Sequence, residues 1–369
     1  LTSSVESQKE GFIKIAEGEI LIKLDDDDNL KISKISHEVS HEFINELKGR
    51  RHPGLVLFSS GSTGKSKASL SDFSDILNKF KVPRHSLRTI AFLLFDHIGG
   101  INTLLYTLSN AGCVVAINDR TPENVLRAID KYKVELLPTS PTFINLILLS
   151  EAYKRYQLSS LKTVTYGTEP MPETTLKKFH ELFPKIQLKQ TYGLSELGIL
   201  RSKSKSSDSL WVKVGGEDFK TRVVDGLLEI KAKSAMLGYL NAPSPFTEDG
   251  WFKTGDSVLT DGEYIKILGR QSEIINVGGE KVYPTEVESV IHEMDNIAEV
   301  TIFGKKNAIT GNIVCAKIRL ENPSEPKEFS KTIKKFCRKR LQSFKVPVKI
   351  ELVEQKQYSA RFKKIKFQG

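Results

Sequence analysis

Two alternating residue patterns between positions 89 and 191 set the strongest limit on how this 369-residue chain can fold. Short apolar runs predict strands over 89–95, 113–117, 134–138, 161–166 and 186–191. Runs with apolar residues at helical spacing predict helices over 101–110, 122–132, 141–149 and 172–183. This alternation predicts an α/β fold with a doubly wound, mostly parallel sheet, in which ligands bind beyond the carboxyl ends of the strands.

The remainder of the chain changes character twice. From about residue 205 to 270, short apolar runs alternate with Gly-rich turns, which predicts a small β subdomain. After Arg270 the pattern becomes that of a small α+β unit with a basic tail. We therefore expect an N-terminal domain over 1–270 and a C-terminal domain over 271–369.

Composition limits the possible classes of function. Hydrophobic residues make up 39% of the chain, which is ordinary for a globular protein, and no apolar run reaches membrane-spanning length. The net charge of +10 favours a solvated lysine-rich surface first and binding of anionic ligands second, and no nucleic-acid motif accompanies it. Three widely separated cysteines show neither disulfide nor metal spacing, so we expect a cytoplasmic protein.

No signal peptide is visible in the sequence. Because the chain begins at Leu1 rather than at a methionine, it stays open whether an N-terminal segment precedes it.

A loop rich in serine and glycine is the first candidate site. The apolar run 55–58 predicts a buried strand, which leads into Ser59-Ser-Gly-Ser-Thr-Gly-Lys-Ser-Lys67. Small residues allow close backbone approach, while hydroxyls, N–H groups and lysines suit a polyphosphate. The Walker A pattern is incomplete, because Ser59 occupies the position of its first glycine.

A second motif points to a different chemistry. His37-Glu-Val-Ser-His41 matches the H-E-x-x-H pattern of zinc hydrolases. On a helix, the apolar stripe of Ile35, Val39, Phe43 and Leu47 would leave both histidines facing water. No further ligand follows at metalloprotease spacing, so a zinc metallohydrolase acting through His37 and His41 is the weaker alternative.

Several further stretches carry residues suited to nucleotide chemistry. In Thr191-Tyr-Gly-Leu-Ser-Glu196, the tyrosine can stack on a base, the serine can donate to phosphate and the glutamate can hold Mg²⁺. Asp256, in Thr-Gly-Asp, can accept from both ribose hydroxyls. The segment 269–288, the turn at 166–171 and the tail 359–366 complete the set. Together with Ser60–Lys67, these stretches resemble the motifs of the adenylate-forming enzymes, which comprise acyl- and aryl-CoA synthetases, peptide-synthetase adenylation domains and luciferases.

The resemblance covers residues 55–366 and implies roles for individual residues. It implies a phosphate-binding loop made of Ser59, Ser60, Gly61, Ser62, Thr63, Gly64 and Lys67. It implies further ATP contacts from Gly167, Thr168, Glu169, Tyr192, Gly193, Asp256, Arg270 and Lys281. It implies a phosphate donor at Ser195 and a magnesium ligand at Glu196. His97 and Gly193 would line the carboxylate pocket, Ser272 would be the hinge, and Gly278 and Gly279 would line a thiol tunnel. Lys364 would be the catalytic lysine, with Lys363 open as the alternative.

The resemblance implies ATP-dependent activation of a carboxylic acid as acyl-AMP, with release of pyrophosphate. Transfer to a thiol, either CoA or the phosphopantetheine of an acyl carrier protein, would follow. A catalytically degenerate nucleotide-binding relative is the alternative, because Ser272 and Lys363 depart from the family pattern. The chain also departs in length, since family members carry a much longer segment before the phosphate loop. The carboxylate, the acceptor and the oligomeric state stay open.

Overall fold

The computed structural model describes residues 6–25, 27–35, 38–60, 66–216, 218–322 and 325–366. Its first part consists of α1 (Glu6–Ile15), β1 (Ile20–Leu24), β2 (Leu30–Lys34), α2 (Glu42–Arg50), β3 (Gly54–Ser60), β4 (Ser66–Asp72) and α3 (Phe73–Asn78). β3 and β4 pair antiparallel from Gly54↔Asp72 to Ser60↔Ser66, so the candidate phosphate loop joins two strands of a hairpin.

The central sheet follows. Its elements are β5 (Arg88–Ile90), α4 (Ile98–Ser109), β6 (Cys113–Val115), α5 (Pro122–Tyr132), β7 (Leu136–Thr139), α6 (Pro141–Ser150), β8 (Thr163–Tyr166), α7 (Glu173–Leu182) and β9 (Gln187–Gln190). The strand order is β6-β5-β7-β8-β9 and every pairing is parallel, which confirms the predicted α/β class. Because the order reverses direction between β5 and β7, the loops after these two strands flank a topological switch point, where such sheets bind ligands.

Local sequence explains these helices well. α5 begins with Pro122, whose missing N–H is not needed there, and the Thr121 hydroxyl accepts from Asn124 N. Its apolar stripe is fully buried at Val125 and Ile129, and both pack into the same core as Leu137 and Val164 of the sheet. The strands are therefore covered by helices, as their apolar sequences require.

The next part is mainly antiparallel. It comprises β10 (Tyr192–Leu194), β11 (Gly198–Leu200), β12 (Ser202–Ser204), β13 (Trp211–Val214), β14 (Phe219–Val224), β15 (Leu227–Ala232), β16 (Gly238–Tyr239), β17 (Phe252–Asp261) and β18 (Tyr264–Arg270). Six of them form one sheet in the order β12-β13-β18-β17-β15-β14. β16 instead pairs with β4, which ties this part to the hairpin that carries the phosphate loop.

The C-terminal part has a hydrophobic core of its own. Its elements are β19 (Ile275–Val277), β20 (Glu280–Val282), α8 (Pro284–Ile291), β21 (Ile297–Asn307), β22 (Gly311–Leu320), α9 (Pro326–Arg338) and β23 (Lys349–Leu352). Val287, Ile302, Ile318 and Ile333 meet in that core. No helix among the described residues is long and apolar enough to cross a membrane. After β23 the chain returns to the carboxyl edge of the central sheet.

Candidate active site

The C-terminal tail lies at the switch point of the parallel sheet. Arg361 Nη2 is 2.7 Å from Asp96 Oδ2, in the loop after β5. Ser140, which follows β7, donates its hydroxyl to Phe362 O at 2.6 Å. Residues of both domains expected from the sequence therefore meet at the place where the fold favours ligand binding.

The turn after β8 supports the tail from the other side. Glu169 Oε1 accepts from Thr142 N and Oγ1 at 2.9 and 2.5 Å, and Glu169 Oε2 accepts from Lys364 N at 3.0 Å. Gly167 has no room for a side chain, because a Cβ there would lie 2.6 Å from Thr191 Oγ1. Thr168 next to it adopts a left-handed φ of 74°. The candidate adenine turn is thus a tightly constrained segment at the strand end.

Tyr192, Asp256 and Arg270 form a buried cluster. The Tyr192 hydroxyl donates to Asp256 Oδ2 at 2.5 Å, and Arg270 Nε is 2.8 Å from Asp256 Oδ1. Burial raises the pKa of Asp256, while Arg270 and Tyr192 oppose this shift. The strand pairing explains the contact, since Asp256 on β17 stands opposite Arg270 on β18. Three predicted nucleotide contacts are therefore adjacent in space.

Glu196 lies in the turn between β10 and β11, beside Ser195. Its Oε1 accepts from the Tyr239 hydroxyl at 2.7 Å, and Lys67 Nζ lies 5.1 Å from the centre of the Tyr239 ring. Asn241 Oδ1 accepts from Ala68 N at 2.9 Å, which anchors the start of β4. The end of the phosphate loop thus approaches Glu196, whereas Gly61, Ser62, Thr63, Gly64 and Lys65 lie outside the described residues. Ser59 and Ser60 are the last residues of β3.

The two tail lysines have different surroundings. Lys364 Nζ donates to the buried Glu288 Oε2 of α8 at 2.6 Å, so the side chain of Lys364 is turned toward the C-terminal part. Lys363 Nζ lies 3.5 Å from His97 Nε2, and burial is the main cause that lowers the pKa of Lys363 to about 8. The residue before it, Phe362, has φ 53°, a left-handed conformation that favours glycine. Lys363, rather than Lys364, therefore projects beside the predicted pocket residue His97.

His97 supplies a donor to this pocket. Its Nδ1 accepts from Gly99 N at 3.1 Å at the start of α4, and burial, followed by Lys363 and Arg361, lowers the pKa of His97 to about 3. The neutral ring therefore carries its proton on Nε2. Since Lys363 Nζ also donates, two donors converge, and no hydrogen-bond acceptor from the described part of the chain is bound between them, an arrangement that suits an anionic oxygen.

A cavity opens next to His97. Its walls are made of Leu93, His97, Gly99, Thr139, Thr165, Gly167, Thr168, Thr191, Gly193 and Ile199. Gly193 cannot carry a side chain without a shift, because a Cβ would lie 2.4 Å from Ile199 Cδ1. The predicted pocket residues His97 and Gly193 thus line one cavity, together with the candidate adenine turn.

The predicted hinge and thiol residues lie apart from this cluster. Ser272 is exposed in a short 3-10 turn, and Gly278, Gly279 and Lys281 are exposed on the β19–β20 hairpin. Gly278 and Gly279 have φ of 59° and 90°, which glycine adopts without strain. In this arrangement the tail lysine, and not the Gly278–Gly279 turn, lies beside His97, which lines the cavity.

The zinc alternative gains no support. α2 begins at Glu42, and His41 precedes it as a cap whose Nδ1 accepts from Phe43 N at 3.2 Å. The predicted helical stripe from Ile35 is therefore wrong, and His37 lies outside the described residues. Across the described part of the chain, no three His, Cys, Asp or Glu side chains form a group that could hold a metal.

Sequence reasoning missed several residues that hold the tail. Arg120 donates to Phe92 O and Ala360 O at 3.2 and 3.0 Å, and Ser140 and Glu288 also bind tail residues. Arg120 and Ser140 lie in no motif that the sequence singled out, and Glu288 ends the segment 269–288, in which the expected roles fell on other residues. The sequence signal that pointed to the tail was the departure of Lys363 from the family pattern.

Comparison with known proteins is consistent with this geometry. Residues 4–224 match the family model described as AMP-binding enzyme, and residues 286–363 match AMP-binding enzyme C-terminal domain. An indoleacetate–CoA ligase of Aromatoleum aromaticum is 29% identical over 73% of this chain and 58% of its own length. Acyl-CoA synthetase 7 of Caenorhabditis elegans is 30% identical over 81% of this chain and 61% of its own. The chain thus spans about three fifths of the length of these curated relatives.

Solved structures share the fold. The anthranilate CoA ligase AuaEII, in complex with anthranoyl-AMP, superposes with a TM-score of 0.72 at 23% identity, over 84% of this chain and 65% of that one. The o-succinylbenzoate CoA synthetase of Bacillus subtilis, in complex with its acyl-adenylate intermediate, gives 0.69 at 22% identity, over 91% and 71%.

Proposed function

Because the chain belongs to the AMP-binding enzyme family, we propose that it activates a carboxylic acid with ATP, forming an acyl-AMP and releasing pyrophosphate. A second step would transfer the acyl group to a thiol. The observation that carries the proposal is the tail lysine, Lys363, beside His97 and the constrained turn at Gly167–Glu169. A lysine delivered from a second domain to the strand ends of an α/β sheet suits a reaction between two anions.

The carboxylate would bind where the two donors converge. His97 Nε2–H and the Lys363 ammonium would both donate to the same carboxylate oxygen. This would orient the other carboxylate oxygen toward the α-phosphorus of ATP. That oxygen forms the new O–P bond, the bond from the α-phosphorus to the bridging oxygen breaks, and pyrophosphate leaves with the electron pair. Lys363 would offset the charge on the α-phosphate, and we assign it this role in preference to Lys364 because Lys364 is engaged by Glu288.

The rest of ATP would extend over the neighbouring residues. The loop from Ser59 to Lys67 would bind the β- and γ-phosphates through its N–H groups, hydroxyls and Lys67, and Ser195 would donate to a phosphate. Tyr192 would pack on the base beside the Gly167–Glu169 turn. Asp256 would accept from the ribose hydroxyls, with Arg270 neutralising it at 2.8 Å.

A magnesium ion fits the donor set. Mg²⁺ in nucleotide sites commonly takes one or two protein carboxylates and completes its shell with phosphate oxygens and water. Glu196 provides one carboxylate, since Tyr239 engages its Oε1 at 2.7 Å and fixes its orientation. The ion would supply positive charge to the phosphates.

For the second step, we propose a rotation about Ser272 that withdraws Lys363 and brings the Gly278–Gly279 turn to the cavity. Their exposure in the present arrangement supports this, as an incoming thiol would need a side-chain-free passage. CoA is the acceptor that the named relatives favour, and an acyl carrier protein is the other candidate. The free thiols of Cys113, Cys315 and Cys337 support a reducing compartment such as the cytoplasm.

The test is a carboxylic-acid panel with ATP and Mg²⁺. Acetate, octanoate, benzoate, indole-3-acetate and 2-succinylbenzoate would each be incubated with the protein, and pyrophosphate, AMP and ADP would be quantified. Acid-dependent release of pyrophosphate with AMP in equal amount supports the proposal. ADP instead of AMP would mean a phosphotransferase. ATP binding without pyrophosphate from any acid would mean a non-catalytic relative, and both results overturn the proposal.

A further inference from the structure

The end of the tail forms a closed turn that inserts into the central sheet. Ser359 N donates to Lys363 O at 2.8 Å, and Phe362 N donates to Ser359 O at 2.9 Å. The turn therefore presents Arg361 and Phe362 at its tip and Lys363 on its return side. The position of the Lys363 ammonium is consequently fixed by whatever holds Arg361 and Phe362.

Phe362 is held by two aromatic rings and a cation. Its ring centre lies 5.3 Å from that of Phe92 and 5.0 Å from that of Phe143, both of which are buried in the core beneath the sheet edge. The Arg120 guanidinium lies 5.4 Å from the Phe362 ring and bonds the backbone on both sides of the contact, at Phe92 O and Ala360 O. Hydrogen bonds from Ser140 to Phe362 O and from Arg120 to Ala360 O fix the backbone of the turn, whereas the charged side chain of Arg361 at its tip requires a partner of its own.

Asp96 provides that partner for the Arg361 side chain. Its side chain is only 10% exposed, its Oδ2 lies 2.7 Å from Arg361 Nη2, and its buried Oδ1 has no hydrogen-bond partner in the described part of the chain. Asp96 directly precedes His97, and Arg361 lies two residues before Lys363. The ion pair thus lies between the same two segments as the His97–Lys363 approach, and it is the attractive contact of the two.

Charge makes this contact decisive for the lysine. Lys363, Arg361 and Arg120 are three cations gathered at the switch point, where Asp96 faces Arg361 from the loop after β5 and Glu169 faces Lys363 from the turn after β8. Without Asp96, Arg361 and Lys363 would repel each other at the sheet edge, which favours withdrawal of the whole turn. A partly buried ion pair that loses one partner leaves the other charge uncompensated.

We infer that Asp96 is a positioning residue, whose ion pair with Arg361 holds Lys363 against His97 for acyl-adenylate formation and must break before the C-terminal domain can turn for thiol transfer. The inference rests on the proposed function for its catalytic part. The docking itself is a property of the chain without substrate, so it can be tested separately.

The first experiment measures docking by hydrogen exchange of residues 358–366 in the substrate-free protein. Asp96→Asn and Arg361→Gln should each raise the exchange rate of this segment about tenfold, since each removes one partner of a half-buried ion pair. The reciprocal pair, Asp96→Arg with Arg361→Asp, should restore protection. The matched control, Asp261→Asn, removes an exposed ion pair with Lys205 and should leave the segment unchanged. Exchange within twofold of the native rate in both single variants would overturn the inference.

The second experiment separates the two half-reactions, using the panel acid with the fastest pyrophosphate release. ATP–pyrophosphate exchange should fall about tenfold in Asp96→Asn with little change in KM for ATP, because the nucleotide contacts are untouched. Thiolysis of preformed acyl-adenylate by CoA should not fall. An equal loss in both half-reactions would indicate general structural damage and refute a positioning role. Absence of pyrophosphate release from the native protein would instead refute the proposed function and leave the exchange result standing.

Discussion

At the scale of single residues, the two adjacent tail lysines make separable contributions. We expect Lys363→Ala to lower the acid-dependent ATP–pyrophosphate exchange rate at least a hundredfold, because it removes the donor next to His97. Lys364→Ala should retain the rate within about tenfold but lower the free energy of unfolding by on the order of 3 kcal/mol, since it leaves the buried Glu288 unpaired. Exchange kinetics and urea unfolding of both variants check this. A severe catalytic loss in Lys364→Ala with a near-native Lys363→Ala would reverse the assignment.

The sequence could not separate these lysines, and the reason is physical. Motif alignment compares residue types, and both positions offer the same ammonium group. What distinguishes them is backbone geometry at Phe362, whose φ of 53° turns Lys363 toward His97 and Lys364 toward Glu288. A phenylalanine in that conformation is strained, and its ring contacts with Phe92 and Phe143 offset the strain.

At the scale of elements, the spacing of apolar residues predicted the strands and helices whose formation depends on neighbouring residues. The parallel strands and their covering helices follow from apolar runs and caps such as Thr121 and Ser140. The sequence pattern after the phosphate loop also predicts a helix over 70–80, and the structure differs in the first part of this range, because Ser66–Asp72 is a strand and the helix begins at Phe73. Ser69 and Ser71 are buried in this strand, and Ser69 Oγ donates to Leu57 O across the hairpin. The Asp96–Arg361 contact spans 265 residues and has no local signal.

The β1–β2 hairpin gives a prediction at this scale. On one face, Ile22 and Ile32 stand directly opposite each other and both are 62% exposed. The double variant Ile22→Thr/Ile32→Thr should change the free energy of unfolding by no more than about 0.5 kcal/mol and increase solubility, because little buried contact is lost. Leu70→Ala, at a site 3% exposed, should cost about 2–5 kcal/mol. Denaturant unfolding and precipitation assays measure both. A loss above 2 kcal/mol in the threonine variant would show that this face is packed in solution.

At the scale of the whole molecule, two histidines stay neutral, one beside the central sheet and one in the C-terminal part. His97 borders the central sheet and His292 ends α8, and burial is the main cause that lowers the pKa of each to about 3. Lys363 and Arg361 add to the shift at His97, and Lys364 and Lys178 add to it at His292. Distant parts of the chain should therefore respond to acid in the same direction.

The direction of the pH dependence of stability follows from proton uptake by the unfolded chain. An unfolded histidine titrates near pH 6.5, so below that pH the unfolded chain binds protons that the native chain does not. Stability supplied by these neutral rings is complete above pH 6.5 and decreases as the pH falls toward 3, by on the order of 1–2 kcal/mol per histidine at pH 5. His292→Gln should flatten the dependence of the unfolding free energy on pH between 7 and 5, whereas His85→Gln, at an exposed site, should leave the slope unchanged. Urea unfolding at several pH values measures both slopes, and identical slopes for the native chain and His292→Gln would show that His292 does not contribute to acid sensitivity.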